Sequence, residues 1–239
     1  MRVLAVEGAT EACSVALFDR GATILRCIEA GKSHAQKILA MVEEVLAEGQ
    51  VRLSMLDGIA ASVGPGAFTG VRISVAVAQG LAFGADLGVV AVGTLEALAL
   101  AALSLEALAL EPLDDSRSRA IACLDARMGE VYWGCFEAEP TAGVVATSAP
   151  RVGPPAQVTL APGGRYIGIG RGFSAHPVLE ALAGIEVGPK RRLALPCARE
   201  TARLGALRLA HGGGIDPAHL TPLYLRDKVA LTEAERAAR

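Results

Sequence analysis

Three short apolar runs come before any helical spacing, and they constrain this chain most: residues 3–6, 13–18 (Cys13-Ser14-Val15-Ala16-Leu17-Phe18) and 23–28. Asp19-Arg20-Gly21 joins the last two as a turn. Runs of this length, rich in Val, Leu and Ile and broken by turn residues, read as strands, so the fold opens with three strands, two of them a hairpin. After Lys32-Ser33 the period changes. Ile38, Leu39, Val42, Val45 and Leu46 recur at helical spacing as far as Gly49, with Ser33 as the expected N-cap. A strand at 58–63 follows, then the loop Gly64-Pro65-Gly66-Ala67-Phe68-Thr69-Gly70. Beyond it come a second helix to Gly84 capped by Thr69, a strand at 89–92 and a third helix over 94–110.

The order β-β-β-α-β-α-β-α is the ribonuclease-H-like arrangement, a mixed sheet with helices on its faces. Two copies of it make an actin-like ATPase (ASKHA) superfold, and the second half can be read in the same way. Residues 112–119 form a polar, charged break. Strands are expected at 120–125 and 131–136 around the turn Arg127-Met128-Gly129-Glu130, with a later strand at 165–169 and helices at 174–183 and 198–211. Residues 138–164, rich in Pro, Gly, Ala and Thr, receive no assignment. The expected division is therefore 1–111 and 112–239, two α/β subdomains, with the final helix and tail packing back on the first.

With 52% apolar residues but only 4% aromatic, the interior must be filled by Ala, Val and Leu, which suits closely packed α/β layers. A formal net charge of −2, with Lys190-Arg191-Arg192 as the longest basic tract, excludes the broad positive face that dominates phosphate-backbone affinity. That tract reads either as a solvated loop or as a small nucleic-acid footprint. Five scattered cysteines without a C-x-x-C pair suit reduced thiols and a cytoplasmic location. Asp86, Glu96 and Glu106 interrupt the lipophilic region 73–110, so it is expected to be buried core and not a membrane span.

Glu7-Gly8-Ala9-Thr10 lies between the first two strands, where this superfold places a phosphate-binding hairpin turn. Glu7 and Thr10 are candidate nucleotide residues there, and an ordinary β-turn with Thr10 as a local cap is the alternative. Gly168 and Gly170, after the later strand, stand where the superfold holds adenosine, but without G-x-G-x-x-G spacing. The Gly64 to Gly70 loop lacks the Lys-Ser/Thr of a P-loop, and its glycines and Pro65 serve a tight turn equally well. The second helix is informative on physical grounds: Val71, Ile73, Val75, Val77, Ala78, Leu81 and Phe83 surround the cylinder, whereas a helix covering a sheet needs one apolar stripe. Its second face is buried either within the chain or against another one.

Four segments carry a family resemblance: Ala9-Thr10-Glu11-Ala12-Cys13-Ser14-Val15-Ala16-Leu17, Gly64 to Ile73, Asp125-Ala126-Arg127-Met128-Gly129-Glu130-Val131-Tyr132, and Pro222-Leu223-Tyr224-Leu225-Arg226. In this order, over nearly the whole chain, they resemble the TsaB (YeaZ) family. The resemblance implies a scaffold that activates the enzyme TsaD, joined by the ATPase TsaE, in forming N6-threonylcarbamoyladenosine at position 37 of tRNAs reading codons that begin with adenine. It implies that the first two helices form the partner surface, through His34, Lys37, Met41, Val71, Ser74, Val75, Val77, Ala78 and Leu81, and that the same helices can support a homodimer. TsaD-like enzymes carry two metal-ligating histidines on the helix after the strand that here is 89–92, where this chain has Gly93-Thr94-Leu95-Glu96-Ala97-Leu98. No catalytic residue and no metal or other cofactor is therefore expected on this chain. ATP and a metal ion are expected on partner proteins, and tRNA only through the complex. The alternative is an active enzyme of the same superfold, a glycoprotease-like peptidase or a small-molecule kinase. The peptidase lacks a G-x-S-x-G elbow or H-E-x-x-H, and the kinase has Arg127-Met128 in place of the glycines expected after Asp125.

Overall fold

The computed structural model describes residues 1–29, 34–108, 119–160 and 164–226. The first sheet contains β1 (Arg2–Glu7), β2 (Ala12–Asp19), β3 (Ala22–Glu29), β4 (Gly58–Ser62) and β5 (Val89–Val92) in the order β3-β2-β1-β4-β5. The first three strands form an antiparallel meander; β4 lies parallel to β1 and β5 parallel to β4. The second sheet contains β6 (Arg119–Arg127), β7 (Glu130–Glu139), β8 (Gly143–Ala146), β10 (Tyr166–Ile169) and β11 (Ile185–Glu186), ordered β11-β10-β6-β7-β8, with β9 (Arg151–Gly153) also on β7. Its founding strand β6 again has an antiparallel neighbour, β7, and a parallel one, β10. The two halves thus repeat one topology, and the chain has the actin-like fold of two α/β subdomains.

Every residue of β1 after Arg2 is buried, because helices cover both faces of the sheet. Val3 and Ala5 point to one core, Leu4 and Val6 to the other, as the period of two requires. The outer core joins this sheet to α1 (His34–Glu48) and α2 (Phe68–Ala85). The inner core is shared by the two halves. There α3 (Thr94–Leu108), which leaves the first sheet, packs on β6, β7, β8 and β10 of the second, and α5 (Ala198–Ala210), which leaves the second, packs on β1, β2, β4 and β5 of the first. Leu95, Leu98 and Leu204 are fully buried in this layer, each contributing about 1.5–3 kcal/mol.

Some expected elements differ. The helix expected at 174–183 is a single α-turn, α4 (Arg171–Ala175), followed by a 3₁₀ turn at Pro177–Ala181, because Pro177 cannot continue an α-helix. Thr69 is not the cap of α2: the helix begins at Phe68, Ala67 occupies the cap position, and no side chain caps it. The unassigned stretch holds the end of β7, strands β8 and β9 and a 3₁₀ turn at Pro155–Gln157. The expected cap Ser33 and the break at 112–118 lie outside the described residues.

Glu7 ends β1 fully buried. Its Oε1 accepts the Ala9 amide at 2.9 Å and its Oε2 faces the Thr201 hydroxyl of α5 at 3.5 Å. Burial pushes its carboxyl from 4.5 up to about 7, against hydrogen bonds that favour the charged form. Between about pH 4.5 and 7 the folded chain holds a proton that the unfolded chain has released, so stability falls as pH rises through that window and then levels off. Glu200, also raised by burial, acts in the same direction. The Glu7 contribution is of order 3 kcal/mol across the window. Glu7→Gln should remove it: in urea unfolding at pH 5 to 8, the variant should lose less stability with rising pH than the parent and exceed it above pH 7 by about 2–3 kcal/mol.

Candidate functional site

The loops at the carboxyl ends of β1, β4, β6 and β10 converge on a cleft of about 970 Å³ between the two halves, lined by Thr10, Glu11, His34, Asp125, Arg127 and Arg171 among others. Its floor is a backbone contact. The Ala67 amide donates to Ala9 O at 2.7 Å, and a Cβ on Gly66 or Gly70 would lie 2.1 Å from Ala9 O or 2.0 Å from Gly8 O. These glycines therefore let the loop lie directly on the first turn and set α2 beside it.

The cleft's polar groups are largely satisfied by the chain itself. Glu7 is folded inward onto the amides of its own turn, shut away from the cleft. Asp125, at the corresponding turn of the second half, accepts the Arg127 amide at 2.9 Å and pairs with its guanidinium at 3.0 Å. Arg171 crosses between the halves, donating from Nη1 to Glu11 at 2.5 Å and from Nη2 to Glu29 at 2.9 Å. His34, the first residue of α1, donates Nε2–H to Thr10 O at 2.9 Å, with Ala12 O at 3.3 Å. Both are carbonyls, so the proton sits on Nε2.

Of the four candidate nucleotide residues, only Thr10 lines the cleft. Glu7 is enclosed in the core. Gly168 is packed under Phe173, Ile185 and Val187, and Gly170, at φ +112°, lies against Cys123 O, where a Cβ would stand 2.2 Å away. Those two glycines let Phe173 of α4 and Cys123 of β6 pack closely against them. Thr94 and Leu98 are fully buried, Leu98 reaching Gly170. Among the described residues no three His, Cys, Asp or Glu side chains converge as a metal site would need.

The partner-surface candidates divide. Val71, Ser74, Val75 and Ala78 lie on the inner side of α2 and are buried, as are His34 and Met41, so they offer little surface to another chain. Lys37 is exposed, and Val77 and Leu81 sit half-buried at the boundary. The outer face holds Lys37 of that candidate set together with residues outside it: Ala76, Gly80 and Phe83 on α2, with Phe83 67% exposed, and Ala35, Ala40 and Leu39 on the adjacent α1, with Leu39 50% exposed. Arg72 carried the signal that could have found it. A lone charge on an apolar helix faces water, and 76, 80 and 83 follow it at helical spacing. By length and composition α2 could cross a bilayer, but here its inner stripe is seated on the first sheet.

The last described segment lies along α2 in the opposite direction. Ile215 pairs with Val89, Gln79 Nε2 donates to Pro217 O and Leu220 O, and the Leu223 amide donates to Val63 O at 2.7 Å. Tyr224 then stacks on Phe68, with ring centroids 5.6 Å apart, and accepts from Arg72 Nε at 2.6 Å. Arg226 pairs with Glu130 of the β6–β7 turn.

Comparison with known proteins agrees with this geometry. A family model described as "TsaD: tRNA N6-adenosine threonylcarbamoyltransferase" matches residues 28–147. The chain is 34% identical over 238 residues to the "tRNA threonylcarbamoyladenosine biosynthesis protein TsaB" of Escherichia coli, covering 96% of each, and 41% identical over 133 residues to that of Haemophilus influenzae, covering 56% of this chain and 52% of the relative. It superposes on the solved structure of YeaZ from Pseudomonas aeruginosa with a TM-score of 0.83 and 34% identity, covering 94% of this chain and 99% of that one. Likeness at this level along the whole chain, on the same two-subdomain fold, shows that the chain belongs to the TsaB (YeaZ) family of tRNA threonylcarbamoyladenosine biosynthesis proteins.

Proposed function

We propose that this chain is a non-catalytic scaffold of the threonylcarbamoyladenosine pathway, which binds TsaD through the outer face of α1 and α2 and holds it in its active form. The observation that carries the reading is that face: Ala76, Gly80 and Phe83 follow one another along the exposed side of α2, and Leu39 is exposed on α1, which packs beside it, although the inner stripe of α2 already fills the core. Small residues allow close approach of another helix, and a contiguous apolar surface marks an interface. The ATPase TsaE is expected to join the pair, tRNA to be held only by the complex, and a second copy of this chain to occupy the same face when TsaD is absent. The place of action is the cytoplasm.

The cleft supports the non-catalytic half of the reading. A nucleotide's phosphates need uncommitted amides and cations, whereas here the Ala9 and Arg127 amides and the Arg127 and Arg171 side chains are held by the chain's own carboxylates. ATP and its metal ion belong on this reading to the partner proteins. The same self-satisfied cleft disfavours a kinase. For a peptidase, burial raises the thiols of Cys13, Cys123, Cys135 and Cys197, the opposite of an activated nucleophile.

Two measurements test these halves separately. Calorimetric titration of the isolated chain with magnesium ATP should show no binding tighter than about 1 mM; saturation in the micromolar range would refute the scaffold's inert cleft. Ala76→Glu should keep the parent's cooperative melt yet weaken association with TsaD at least ~10-fold, because a carboxylate would be buried unpaired in the complex. Ser74→Glu, on the inner stripe, should instead lower folding stability by several kcal/mol. Normal TsaD binding by Ala76→Glu would place the partner surface elsewhere.

A further inference from the structure

We propose that residues 222–226 are a releasable clasp across the mouth of the cleft, through which the β6–β7 turn of the second half sets the position of the first turns of α2 in the first half. The clasp has an anchor on each side. On the first half, the Leu223 amide is bonded to Val63 O at the end of β4, the Tyr224 ring stacks on Phe68, and its hydroxyl accepts from Arg72 Nε, whose guanidinium also lies 3.8 Å over the Phe68 ring. On the second half, Arg226 pairs with Glu130, and its Nη1 lies 3.9 Å from the Met128 sulfur. The five residues between Thr221 and Asp227 thus join the two lips of the cleft directly.

The anchors differ in kind from the core that holds the halves together. Leu223 and Tyr224 are exposed, and the segment contributes no fully buried side chain, so these contacts are individually weak and can open without unfolding either sheet. Upstream the chain is fixed: Leu220 is buried in the outer core, and Gln79 holds the carbonyls of Pro217 and Leu220. The boundary between fixed and releasable chain therefore falls just after Leu220, beside α2. Phe68 and Arg72 occupy the exposed first turns of the same helix whose outer face continues through Ala76, Gly80 and Phe83. Movement of the β6–β7 turn, transmitted by Arg226 and Tyr224, would reach that face without passing through the inner core.

The exposed Arg72 Nε–H reports the clasp directly, since its exchange with water slows while Tyr224 accepts it. Glu130→Ala removes only the far anchor, in the other half of the molecule, and Tyr224→Phe removes the acceptor outright and calibrates the measurement. With nitrogen-15 NMR on the full chain, Glu130→Ala should accelerate Arg72 Nε–H exchange at least ~3-fold, with a melting temperature within about 3 degrees of the parent. Arg226→Met should do the same. Exchange that moves in Tyr224→Phe but is unchanged in both far-anchor variants would overturn the proposal. So would a melting-temperature loss above about 8 degrees in both, which would make the segment part of the core. Coupling to the partner face rests on the function proposed above and is read separately as a ~2- to 5-fold weaker association of Glu130→Ala with TsaD. Unchanged affinity alongside faster exchange would overturn that coupling, whereas a parent chain that fails to bind TsaD would refute the function and leave the exchange result standing.

Discussion

The exchange of helices between the two sheets is the constraint on which the rest of this structure depends. A mixed sheet with apolar residues on both faces needs cover on both. Here the inner cover of the first sheet is α5, from the end of the chain, and the inner cover of the second is α3, from its middle. Neither half can bury its own sheet without the other. The layer is thin because small residues line it, among them Ala5, Ala16, Ala60, Ala122, Ala198 and Ala202, so helices approach the strands closely and no large aromatic cluster is required. An Ala-rich, aromatic-poor composition follows from that geometry.

The shared inner layer also fixes the relative placement of the two hairpin turns, and so decides what the cleft can do. In each turn the acid that could have faced a ligand is committed at home. Glu7 is drawn into the space between β1 and α5, where the cost of desolvation keeps it protonated towards neutral pH; Asp125 is tied to the backbone and side chain of Arg127. Arg171, the cation best placed to serve both halves, spends its donors on Glu11 and Glu29. Arg171 thus cross-links the two lips at hydrogen-bond distance, while Asp125 and Arg127 neutralise one another within a single turn.

Much of this was legible in the sequence, and the limits have physical causes. The strand and helix order of the first half follows from apolar period, since short runs and 3.6-residue spacing have few other solutions. The second half was harder to read because its helical elements are short. One turn of α4 leaves no periodicity to detect, and Pro177 converts the remainder to a 3₁₀ turn. The sequence does not separate the inner stripe of α2 from its outer face, because a helix apolar on every side gives no phase; only Arg72 breaks the symmetry. Gly168 and Gly170 suggested a ligand cradle, but a glycine needed for close helix–sheet packing has the same sequence signature as one needed for a phosphate. The segment after α5 carries no period at all, and its path along α2 is set by isolated contacts at Gln79, Val63 and Arg72 that no local pattern announces.

The two helices α1 and α2 differ from the inner layer in how much of their surface they leave uncovered. The inner face of the first sheet is closed by α5, which packs in turn against α3, so most of that side is taken up by the layer shared between the two halves. On the other side a single layer of two helices covers the sheet, and a single layer necessarily presents its outer face to whatever surrounds it. For α1 that face is partly charged, through Lys37, Glu43 and Glu44, whereas for α2 it consists of small and apolar residues with Arg72 near its start. A single outer layer of this composition does not need more of its own chain to fold. The part of it that water covers poorly is also the part that a second helix could cover well.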